Sequence, residues 1–487
     1  NASMEKSHFS ELVAQGYNHI PVSRELLVDT DTALALYLKL ANTPYTYFLE
    51  SVQGGEKWSR YSFIGLMAET VIKVFDYQVT VEKNGKIVQT HQVEDPLAWI
   101  EEYQAQFKVP KLEHLPVFNG GLVGYFGYEI IRYIEPKLAN INKPDELGVA
   151  DILLMLSNDL LVVDNLSSKA HIITHVNPSE SSFEDAIDKL DEIEGRIQEP
   201  LVEQPSEPVD IKAEDFVSSF GKDNFIRCVK DIQKYIIAGD VMQVVPSQRL
   251  SCEFKAKPID LYRQLRVLNP SPYMYFLNLD DVCIVGSSPE ILTRVDDNNI
   301  ATVRPIAGTR SRGETSEEDL ALEAELLSDH KEIAEHLMLI DLGRNDLGRI
   351  AKTGTVTLTD KMFIERYSHV MHIVSNVECE LQDDMSPIDV LRATFPAGTL
   401  SGAPKVRAME IINDVEPLKR NIYSGAIGNL SWHGGMDLAI AIRTAVIKDE
   451  TLYVQAGAGI VYDSVPESEW QETMDKAQAL IRAAENI

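Results

Sequence analysis

ILLMLSNDLLVVDNLSSKAHIITHV, residues 152–176, holds two strand-like apolar runs, 152–163 and 170–176, with no helical repeat between them. Similar short runs recur at 71–75, 78–81, 243–250, 282–287, 438–446 and 452–455. Helical spacing interrupts them in few places. Ala186, Ile187, Leu190, Ile193 and Ile197 mark a helix over 184–197, and Phe225, Val229, Ile232 and Ile236 mark one over 216–238. Long helices are predicted at 316–343 and 467–485. Strands clustered with so little regular alternation predict an α+β fold rather than a doubly wound parallel sheet.

The chain has 487 residues, enough for two or three domain-sized units or one large interleaved domain. Residues 1–3 precede Met4 and read as a tag remnant. QEPLVEQPSEPVDIKAED, residues 198–215, is rich in proline and carboxylate with little to bury, and reads as a linker between 4–197 and 216–487. A formal charge of −30 argues against nucleic acid or an anionic membrane as partner, while leaving room for a locally basic pocket. The four cysteines, Cys228, Cys252, Cys283 and Cys379, lack zinc or redox spacing and read as reduced, mostly buried residues. No run is long enough to span a membrane and no signal pattern opens the chain, so a cytoplasmic protein is expected.

The predicted helices carry the most informative carboxylates. In HKEIAEHLMLIDLGRND, residues 330–346, Glu332 and Glu335 are three apart and share a helical face. Glu469 and Glu472 in PESEWQETMDKA repeat that spacing. Either pair alone reads as the solvated side of a helix. Two pairs converging would suit Mg²⁺, which takes one or two protein carboxylates and completes its shell with water or substrate. Three glycine-rich stretches, RPIAGTRSRG (304–313), PAGTLSGAPK (396–405) and QAGAGIV (455–461), offer backbone N–H groups to an anion or simply make tight turns. None matches a phosphate-loop or dinucleotide fingerprint. Spacing by itself reaches an enzyme with a Mg²⁺ and small-anion site, and no substrate.

The ordered blocks SSPEILTRV, RPIAGTR, HKEIAEHLMLIDLGRNDLGRI, YSHVMHIVSNV, PAGTLSGAPKVRAMEII, YSGAIGNLSW, DLAIAIRTAVI and QAGAGIVYDSVPESEWQET resemble the chorismate-utilising enzymes from residue 216 onward. The resemblance implies a large β-sandwich of mostly antiparallel sheets with helices outside and the two sequence halves interleaved. It implies Glu335 and Glu472 as Mg²⁺ ligands, supported by Glu332 and Glu469. Tyr423 and Arg443 would grip the enolpyruvyl carboxylate beside Gly457, Ala458 and Gly459. Gly308, Thr309 and Thr399 would contact the substrate, Lys476 would lie near the metal-bound carboxylate, and Glu290 would be the general acid.

Within that family the chain resembles the large subunits of anthranilate synthases. Water-adding relatives place a lysine base where Gln243 stands in VMQVVPSQRL, and ammonia needs no such base. Ala307 replaces the lysine that aminodeoxychorismate synthases carry in this motif, so ammonia would attack the ring directly. His372 matches the histidine linked to pyruvate elimination. YTYFLESVQGGEKWSRYSFIG (45–65) and NPSPYMYFL (269–277) resemble a tryptophan-binding regulatory pair, implicating Glu50, Ser51, Asn269, Pro270, Pro272, Tyr273 and Met274, with Gly286 leaving space beside the indole. No cysteine sits in a glutaminase nucleophile setting, so ammonia would come from a separate glutamine amidotransferase subunit in an α₂β₂ assembly. Aminodeoxychorismate or aminodeoxyisochorismate synthesis, or a catalytically dead tryptophan sensor, are the alternatives.

Overall fold

The computed structural model describes residues 4–52, 60–367 and 369–487. Residues 1–3, residues 53–59 of the 45–65 motif, and Ser368 lie outside them. Two large sheets, of eleven and twelve strands among the described residues, form the centre, and every strand pairing is antiparallel.

The halves interleave in both sheets. In the first, Thr46–Glu50 pairs with Tyr273–Asn278; in the second, Gly121–Phe126 pairs with Ala426–Ser431. Between the sheets lies a core that includes Tyr47, Tyr125, Val162, Ile284 and Ile427. Outside the first sheet pack helices Phe183–Gln198, Pro258–Leu268 and Pro466–Glu485, through Leu190, Leu261 and Leu480. Outside the second pack Pro96–Ala105, His330–Gly348 and Pro387–Thr394, through Leu97, Ile340 and Leu391. Separating the halves would expose Phe48 and Phe276 at one junction alone, at about 1.5–3 kcal/mol for each side chain. The stretch 199–212 has no helix or strand and is tied to helix Pro258–Leu268 by Ser206–Asp260 and Glu203–Arg263 contacts.

Three predicted strands are each two strands. The run 152–163 divides into Ile152–Ser157 in the second sheet and Leu160–Asp164 in the first. The run 243–250 divides at Pro246, which has no N–H to give a ladder, into Gln243–Val244 and Ser247–Glu253. The run 438–446 divides around Arg443, held at φ 46°, as the chain passes from Met436–Ile440 in the second sheet to Thr444–Lys448 in the first. The strands are buried on both faces at these crossings, so apolar pattern continues where the strand does not. The predicted helix 316–343 likewise breaks at Asp329, whose side chain caps the N–H groups of Lys331 and Glu332 and starts His330–Gly348 afresh. In 216–238 only Lys222–Ile237 is helical, after the short strand Val217–Ser218 and Gly221 at φ 82°.

A buried polar cluster ties the first strand, Ile20–Leu27, and Lys169–Val176 to the 431–435 turn. His175 donates through Nδ1 to the Asn158 carbonyl (2.6 Å) and accepts at Nε2 from Trp432 (3.1 Å). The His19 ring stacks on His175 at 4.8 Å. Burial pulls the His175 pKa down to about 4, and burial with the neighbouring His175 pulls His19 down to about 3. Both are neutral when folded, whereas an unfolded histidine takes its proton near pH 6.5. Stability from this cluster is therefore fully present above about pH 6.5 and declines as pH falls toward 4, by roughly 1.4 kcal/mol per pH unit for each histidine. Thermal melts across that range should show the decline. A His175→Asn protein, less stable at pH 7, should lose less on acidification; equal slopes would contradict the assignment.

Candidate active site

Two of the sheet crossings, at 243–247 and 441–443, open onto a cavity of about 470 Å³, within the usual range for small-ligand pockets. Its acidic end is built by two helix starts. Glu332 and Glu335 project from the first turns of His330–Gly348, and Glu469 and Glu472 from those of Pro466–Glu485. The predicted i,i+3 faces thus converge. Burial, then repulsion by Glu335, raises the Glu332 pKa; burial also raises that of Glu335, against the nearby Gln243 amide and Lys476. Glu469 is pushed up to about 7 by burial and by Glu472. Lys476 pairs with Glu472 (3.3 Å) and donates to the Gly457 carbonyl (2.9 Å).

This donor set fits a hard divalent cation. Carboxylate outnumbers ammonium, and Glu469 Oε2 is buried with no hydrogen-bond partner. Among the described residues no three acidic, His or Cys side chains converge into an all-protein cage. The arrangement therefore suits one or two protein carboxylates, with water and substrate as the remaining ligands.

The basic end is Arg443. Arg443 is half-buried and lines the cavity, desolvation there lowers its pKa, and its side chain makes no hydrogen bond or ion pair among the described residues. A guanidinium facing a cavity without a partner is poised to take a carboxylate through its planar fork. Tyr423 and Gly457 line the same cavity. Burial, opposed by Arg443, pushes the Glu290 pKa up to about 8, so the acid keeps its proton at neutral pH. His372 is held neutral, at about 4, by burial and then by Arg443. Its Nδ1 donates to the Gly308 carbonyl (2.9 Å), which leaves Nε2 a bare acceptor without a partner.

The glycines fit for steric reasons. Gly308 sits at φ 66°, and a Cβ on Gly459 would lie 2.4 Å from the Gln243 amide nitrogen. Thr309, within 3.3 Å of His372, and Thr399 also line the cavity. Ala458 does not: it is fully buried and its N–H bonds Pro246. Besides several apolar wall residues, two polar ones escape the sequence reading. Lys331 lies four residues before Glu335, so i,i+4 spacing would have placed it on the same face. Gln455 opens the quoted QAGAGIV but has a side chain with no charge to signal it.

The regulatory residues lie outside this cavity. Their two motifs do meet, with Met274 opposite Glu50. Glu50 is already held by Tyr262 (2.5 Å) and Arg266 (2.6 Å). Strand alternation places Tyr273 and Gly286 on the face toward the space between the sheets, and Glu50 and Met274 on the other. The room over Gly286 is filled by the Tyr275 ring, so it is not free for a ligand. Tyr273 instead takes a hydrogen bond from Arg294. Ser51, Asn269, Pro270 and Pro272 lie in the turns beside the Glu50–Met274 pair; the Val52 N–H bonds Ser271, and the Asn269 carbonyl accepts from Ser287.

Residues 46–482 match the family model described as chorismate binding enzyme. The chain belongs to that family. It is 56% identical to anthranilate synthase component 1 of Pseudomonas aeruginosa, over 99% of this chain and 98% of that one. It is 57% identical to the same component from Neisseria meningitidis, over 99% of each. Anthranilate synthase component I of Streptococcus pneumoniae superposes with a TM-score of 0.76 at 38% identity, covering 94% and 99% of the two chains. These relatives put the chain in the component 1 branch of the family. The menaquinone-specific isochorismate synthase of Escherichia coli, at 19% identity and TM-score 0.71 over 98% of each chain, shares the fold.

Because the Glu290 pKa is raised when folded, its contribution to stability is full below about pH 4.5 and is lost as pH rises through about 8. Glu290→Gln should therefore gain melting temperature relative to the parent as pH rises from 5 to 8.5. A constant difference across that range would contradict a proton held on Glu290.

Proposed function

We propose that the chain converts chorismate and ammonia to anthranilate and pyruvate with Mg²⁺, ammonia being supplied by a separate glutamine amidotransferase subunit. The observation that carries this reading is the polarity of one cavity: four glutamates from two helix starts at one end and an unpartnered Arg443 at the other. Chorismate has two carboxylates to match those ends.

Arg443, with Tyr423, binds the enolpyruvyl carboxylate. Glu335 and Glu472 would hold Mg²⁺, with Glu332 and Glu469 beside them, and the ion when bound supplies positive charge to the ring carboxylate and the departing hydroxyl. Glu290, still protonated at neutral pH, gives that hydroxyl its proton as ammonia bonds to the ring. Gln243 lines the cavity as a neutral amide, which leaves water unactivated. Neutral His372, which lines the cavity, would assist loss of the ring proton as the C–O bond breaks, the departing enolpyruvyl group taking up a proton at its methylene carbon to leave as pyruvate. Tryptophan binding beside Glu50 and Met274 would regulate this site: strand Val282–Ser288 flanks that pair's strand, and its Ser287 N–H bonds the Arg443 carbonyl (3.0 Å).

Incubation with chorismate, ammonium at alkaline pH and Mg²⁺ should yield anthranilate fluorescence, abolished by chelation and reduced by tryptophan. Accumulation of aminodeoxychorismate would select the other amination. Arg443→Ala should lose roughly 30- to 4000-fold in kcat/KM for chorismate, corresponding to the 2–5 kcal/mol of a buried charged contact. Loss of less than threefold would place the substrate carboxylate elsewhere.

A further inference from the structure

We propose that the buried Arg420–Glu416 ion pair, which does not touch the cavity, is the positioning device that holds its carboxylate-binding wall in register. The inference rests on the substrate reading above. Arg420 spends all five of its N–H donors. Nε and Nη2 fork onto Glu416 at 2.9 and 2.7 Å. The remaining three go to the Val245 carbonyl (2.7 Å), the Leu400 carbonyl (2.8 Å) and Ser424 Oγ (2.9 Å). The guanidinium also lies 5.4 Å from the centre of the Tyr423 ring.

Those contacts come from three segments far apart in sequence, and Val245, Leu400 and Tyr423 all line the cavity. Glu416 extends the net. Its Oε2 accepts from the Ser247 N–H (2.9 Å) and hydroxyl (3.0 Å), and the Ser247 oxygen accepts from the amide of Gln455, a fourth wall residue.

Stability does not account for such a pair. Desolvating two charges offsets most of their attraction, and well-packed apolar residues often do as well. What the pair adds is geometry: only a planar fork reaches Glu416, two carbonyls and a hydroxyl together, and lysine cannot. A displacement of about 1 Å in a reacting group can cost on the order of 10²-fold in rate.

Two proteins test this, Arg420→Lys and the apolar double substitution Arg420→Met with Glu416→Leu. Melting temperature, kcat, KM for chorismate and amide exchange at residues 243–247 and 398–401 should be measured on each. Both should lose about 10²-fold or more in kcat/KM, with KM raised and exchange at the two segments accelerated. A folded double variant with parental kcat/KM, or unchanged exchange at both segments, would overturn the proposal. The exchange result stands without turnover, so an inactive parent would count against the substrate reading alone.

Discussion

Everything in this molecule turns on gathering unbalanced charge around one cavity. Arg443 lines the cavity half-buried and with no ion pair, Glu290 is buried enough to stay protonated, and four glutamates share one end of a cavity with two lysines. Each condition is unfavourable in isolation. They persist because two sheets and their outer helices, interleaved from both halves of the chain, over-determine the positions of the segments that carry them.

The cavity forms where regular structure stops. At 243–247 and 441–443 the chain leaves one strand and enters another, and Arg443 adopts φ 46°, a conformation that side chains other than glycine seldom take. The helix starts contribute in the same way: their free N–H groups and positive ends favour carboxylates in the first turns. Regular elements supply rigidity, and their ends supply the chemistry. The Arg420–Glu416 pair bonds at once to the 243–247 crossing, to the Leu400 carbonyl of another wall segment and to Ser424 beside Tyr423.

How much of this the sequence revealed depends on the kind of signal. Glu332 with Glu335, and Glu469 with Glu472, were legible because helical spacing fixes a shared face. The α+β class was legible because apolar runs cluster without alternating helices. The crossings were not, because a strand buried on both faces and the bend after it are equally apolar; only Pro246 marks one of them. Strand alternation, legible in NPSPYMYFL, puts Tyr273 and Met274 on opposite faces of their sheet. Arg420 was silent. Between Lys419 and Asn421 it reads as surface, and only three-dimensional packing shows it to be among the most deeply buried side chains.

The most direct test is a crystal structure with Mn²⁺, located by anomalous scattering, and a dicarboxylate analogue of the cyclohexadiene substrate. One analogue carboxylate should lie about 2.7–2.9 Å from the Arg443 guanidinium, and the other should share the cation with Glu335 and Glu472. A cation elsewhere, or an analogue whose carboxylates both avoid Arg443, would contradict the account.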